Sequence, residues 1–150
     1  MSFCLKELNT TETNYIKILD VLAFDVARVV AAKCVYDKAL LNEFITLYEP
    51  IRHIVQALHS FHQSHLQEPI RRHLAGQREG YAWSIFDEHF NTLADLYALY
   101  KVTFDEVKEK LQSFCKTHHA IDTAIDQLQG LVQNNKPILQ LICPCQRLPR

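Results

Sequence analysis

Apolar residues recur along this chain at intervals of three and four, the period of helices that each turn one face to a core. The first run, Leu5, Leu8, Glu12, Tyr15, Leu19, Leu22, Val26 and Val29, keeps that repeat for about three heptads. Asn9 or Thr10 is the candidate cap or frayed start of this helix. A second region has two parts: "ALLNEFITLY" and, with Pro50 at a first-turn position, "IRHIVQALHSFHQSHL". In the latter, Ile51, Ile54, Val55, Leu58, Phe61 and Leu66 share one face. Pro69 and the stretch "AGQREG" then predict a loop. Phe86, Phe90, Leu93, Tyr97 and Tyr100 mark a third element, and Phe104, Val107, Leu111 and Phe114 a fourth that nearly joins it. A fifth, with Ile121, Ile125, Leu128 and Val132, ends at "QNNKP".

No segment alternates strictly between apolar and polar residues within turn signals, so no sheet is predicted. Three glycines and five prolines are all the punctuation in 150 residues, and no linker divides them. The expected fold is therefore all-α: a single domain, residues 1–150, built as an elongated antiparallel bundle of five or six helices.

Composition narrows the partners. A net charge of -1 with 48% hydrophobic and 22% charged residues is that of an ordinary globular chain, and it offers no bulk attraction to nucleic acid or to an anionic membrane. No basic segment followed by an apolar run opens the chain, and no uncharged apolar stretch reaches about 18 residues, so no membrane segment is predicted and a cytoplasmic location is expected. Five cysteines, an odd number without the spacing of a secreted framework, read as reduced and mostly buried thiols.

Glu12 is the one charged residue in the first apolar stripe. A carboxylate there is paired, exposed at an end of the seam, or reserved for a partner; a solvated first turn favouring the helix dipole is the simplest of these. His59, His62 and His65 follow one another at intervals of three, yet no carboxylate or cysteine beside them completes a tetrahedral set, so a solvated polar face is the expected reading. Cys143 and Cys145 lack the spacing of common zinc folds even with His118 and His119 added. Phosphate-cradling and hydrolytic motifs are absent, and no metal, cofactor or covalent catalyst is predicted.

The two ends together carry a resemblance. "LKELNTTETNYIKILDVL", with Glu7-Leu8, Thr11-Glu12, Tyr15 and Leu19, resembles the first conserved region of Dbl-homology domains, the guanine nucleotide exchange factors of Rho-family GTPases. "LICPCQRLPR" is similar to the start of that family's third conserved region, with Cys143 where the family usually has lysine. "EFITLYEPIRHIVQALHSF" and "LADLYALYKVTFDEVKEKLQSF" resemble the segments between, in the same order.

The resemblance implies a Rho-family small GTPase as partner and exchange without covalent chemistry. It implies that Glu12 accepts hydrogen bonds from the first switch of the GTPase, and that Gln146 and Arg150 face the second. It also implies a domain lacking its C-terminal helices and hence an exchange activity that is weak or absent in these 150 residues. A helical interaction module without exchange activity is the alternative.

Overall fold

The computed structural model describes residues 2–77 and 84–128, and among these every regular element is helical. Helix α1 (Ser2–Asp20) passes through a π turn, Val21–Asp25, into α2 (Val26–Lys33) without a break. After a short connection, α3 (Lys38–Phe61), a second π turn (His62–Gln67) and α4 (Glu68–Leu74) form another continuous rod. Then come α5 (Ser84–Thr117) and the short α6 (His119–Gln127). At 1.5 Å per residue the long rods are each about 50 Å. They pack antiparallel, with α3 against α5, α1 against α3 and α4, and α6 folded back beside α2. The expected elongated all-α bundle is the fold observed.

Several predicted boundaries are corrected. Asn9 and Thr10 start nothing: α1 begins at Ser2, and the hydroxyls of Thr10, Thr11 and Thr13 donate to carbonyls four residues back, which satisfies them inside a helix. Pro50 does not begin a helix but stands within α3. It removes one ladder hydrogen bond, yet Phe44, Tyr48, Ile51 and Val55 lie on one buried face across it, so continued burial outweighs the loss. Pro69 likewise does not end its helix, which runs to Leu74. It stands in the first turn of α4, immediately after the second π turn.

The real stop comes at Gly76. Its φ of 70° closes a Schellman motif, in which Gln77 N–H donates to Arg72 O at 2.9 Å and Gly76 N–H to His73 O at 3.1 Å. The third and fourth predicted elements are one helix, α5, because no breaker separates Tyr100 from Phe104. At the start of α3, Asp37 caps by accepting from Leu40 N–H at 3.0 Å.

The main core gathers the inner faces of α1, α2, α3, α5 and α6, with Ala23, Val30, Phe44, Ile51, Leu58 and Leu111 among its most buried members. A second, smaller cluster joins Phe61, Leu66, Ile70 and Ile85 where α4 meets the start of α5. Cys34 and Cys115 are buried as small apolar groups, whereas Cys4 is exposed. No helix among the described residues is long and apolar enough to cross a membrane.

Candidate functional site

The two clusters meet at a polar seam. Leu58, His62 and Leu66 follow at intervals of four, so His62 points inward with its neighbours rather than out with His65. Only 2% of its surface is exposed, against 4% for Glu12. Glu12 and His62 are hydrogen-bonded through the imidazole Nδ1 at 2.9 Å, and Nε2 lies 2.9 Å from the Tyr97 hydroxyl. Tyr97 Oη is in turn 2.6 Å from Tyr15 Oη. Three rods thus contribute to one hydrogen-bonded chain: α1 with Glu12 and Tyr15, the second π turn with His62, and α5 with Tyr97.

One donor role follows from the carboxylate at the end of that chain. An ionised carboxylate only accepts, so His62 Nδ1 carries the hydrogen that Glu12 receives. Nε2 and the Tyr97 hydroxyl share the next hydrogen bond, and the two phenol oxygens the one after it, in which either hydroxyl can donate. Each imidazole nitrogen is therefore satisfied in a site closed to water. The Tyr15 and His62 rings also meet edge to face, 5.0 Å between centroids.

Further ties flank this chain along the same helix pair. Gln67 Nε2 donates to Thr13 Oγ1 at 3.1 Å. Farther along, α3 donates to two carbonyls of the first π turn: Tyr48 O–H to Leu22 O and Arg52 Nε to Ala23 O. Burial pushes the Tyr48 phenol well above its ordinary value, with the Arg52 cation pulling it partly back. His59 lies 3.4 Å from Asp20 and edge-on to Phe24, so of the three spaced histidines only His65 is exposed as a solvated face would require.

Glu12 accordingly occupies the paired state of the three that its sequence position allowed. Gln146 and Arg150, like Cys143 and Cys145, lie outside the described residues. His62 and Tyr97 were missed as site residues, although His62 had a legible signal: a polar side chain in register with Leu58 and Leu66. No group of three or more metal-ligating side chains is brought together among the described residues.

At the opposite end, about 20 Å along α5 from Tyr97, α3 and α5 border an open cleft of about 690 Å³. Phe114 and Leu47 form its apolar floor, and the exposed Glu43, Glu109 and Lys110 its rim. Thr46 and Thr117 on its wall already donate to carbonyls of their own helices.

Nearby, burial first and then the Asp122 and Asp126 carboxylates push the Cys115 thiol up to about 11 from 9.0. A thiol raised in this way contributes stability that is fully present below pH 9 and is lost as pH rises toward 11. At pH 8, iodoacetamide is expected to alkylate Cys4 in the folded chain and to leave Cys34 and Cys115 unmodified until denaturant is added. Peptide mass spectrometry reads this, and rapid native labelling of Cys115 would contradict its burial.

A family model described as "RhoGEF domain" matches residues 4–150. No curated protein and no solved structure matches the chain.

Proposed function

We propose, from the premise that this chain belongs to the Dbl-homology (RhoGEF) family, that it binds a Rho-family small GTPase and promotes release of its GDP in the cytoplasm. The observation that carries this reading is the extent of the family match, residues 4–150, which takes in every helix described above but for the first two residues of α1. Members of the family regulate GTPases by nucleotide exchange, which makes and breaks no covalent bond. A protein of this kind binds the nucleotide-free GTPase better than the GDP-bound form, and linkage then obliges GDP affinity to fall by the same factor. The contacts proposed are Glu12 for the first switch and Gln146 and Arg150 for the second. A charge-assisted hydrogen bond from Glu12 is worth about 1.5–3 kcal/mol to such an interface.

The burial of Glu12 favours a second reading, a helical interaction module in which that carboxylate is structural and no exchange occurs. Binding and release experiments on a panel of Rho, Rac and related GTPases separate the two. For an exchange factor, the nucleotide-free GTPase should bind more tightly than the GDP-loaded one, fluorescent GDP should leave faster, and Glu12→Ala should weaken both by about tenfold or more. Equal binding of both nucleotide states would leave the interaction module standing. Absence of binding across the panel would refute the GTPase assignment.

A further inference from the structure

The carboxylate assigned to the GTPase is turned into the bundle in the free chain. Its side chain is 6% exposed and that of His62 is 3% exposed, and the two are held at 2.9 Å. In this pose Glu12 offers almost no surface to a partner. The anchor is itself anchored: Tyr97 holds His62 Nε2, which fixes the ring orientation and presents the Nδ1 hydrogen to Glu12. The Gln67–Thr13 bond ties the other end of the same π turn to α1.

We propose that His62 is a positioning residue that keeps Glu12 inside the bundle, so that a GTPase engages this carboxylate only by exchanging the His62 hydrogen bond for one of its own. This rests on the functional reading above. A glutamate has three side-chain torsions, so the exchange calls for rotamer changes rather than a movement of α1. His62 would keep Tyr97 on Nε2 and lose its partner on Nδ1. The internal bond therefore competes with the GTPase, and affinity for the partner is reduced by the fraction of chains in which Glu12 stays inward.

Removing the His62 donor should raise affinity. His62→Leu, checked for retained helicity, is expected to bind the nucleotide-free GTPase at least about fivefold more tightly than the wild-type chain, within the range typical of coupled sites. The gain should vanish in His62→Leu/Glu12→Ala, and His62→Gln, which restores a donor, should return affinity toward wild type. Equal affinity of a folded His62→Leu chain, or a gain that survives Glu12→Ala, would overturn the inference and leave the functional reading intact. Failure of every variant and of the wild type to bind would sink that reading, and the inference with it. If His62→Leu does not fold, the wild-type chain decides: the ¹⁵N resonances of the His62 imidazole should move at Nδ1 when the nucleotide-free GTPase is added. An unchanged Nδ1 resonance in the complex would refute the exchange of partners.

Discussion

Replacing His62 with leucine is expected to destabilise the bundle by about 3–5 kcal/mol, the cost of taking a hydrogen-bonded partner away from a buried carboxylate. Glu12 is 4% exposed, so water reaches it poorly in the native pose. The loss is reduced to the extent that the carboxylate swings out to solvent, which is the same motion that partner binding would require. For a chain of this size each kcal/mol corresponds to about 2–4 °C in Tm, so a fall of roughly 6–20 °C should be seen by thermal circular dichroism. His62→Gln supplies an amide donor in a similar volume and should lose much less. If His62→Leu is as stable as the wild type, the seam contributes nothing to the fold.

The other large effect should come from the apolar core. Phe44 is 1% exposed and lies between Tyr48, stacked at 5.3 Å, and Phe114, at 5.6 Å, where α3 crosses α5. Truncation to alanine removes a ring packed between two helices and leaves a cavity, and about 3–5 kcal/mol should be lost. Urea unfolding with an unchanged slope measures this directly. Phe90→Ala is the matched control: Phe90 is 48% exposed, and its removal should change stability by no more than about 0.5 kcal/mol. Comparable losses at the two positions would mean that the α3–α5 contact is not the core of this bundle.

The cost of altering Glu12 or His62 differs from that of altering Phe44 in a way that bears on function. A core phenylalanine has one good environment. A glutamate has two, the buried bond and the solvent, and a partner can choose between them. Family membership comes from the chain as a whole, whereas the behaviour of Glu12 depends on two side chains, His62 and Tyr97, that approach it from 50 and 85 positions away in the sequence.

How much could be read beforehand varies from element to element. The first rod's stripe, Leu19, Leu22 and Val26, is buried as its spacing indicated, as are Ile51, Val55 and Leu58 in α3 and Leu111 and Phe114 in α5. Breaks were less legible. Pro50 and Pro69 read as boundaries because a proline weakens a helix locally, but neither boundary survives once a continuous buried face and a preceding π turn are in place. The π turns themselves have no sequence mark: two carbonyls of the first accept from Tyr48 and Arg52 on α3, and the second sets His62 and Gln67 against α1.

By itself, the sequence determined that this protein is helical, in which order its helices run and which face of each turns inward, because the 3.6-residue period is a local property of the backbone that apolar spacing reports directly. It also determined that Glu12 sits on such a face. Only the tertiary structure decided what becomes of it. The free energy of a buried charge depends on what comes within hydrogen-bond reach, and that is set by the antiparallel register of rods whose contacting residues are far apart in the chain. That register places His62 Nδ1 2.9 Å from Glu12 and Tyr97 behind it, so a carboxylate that could have been solvated or left for a partner is paired within the bundle.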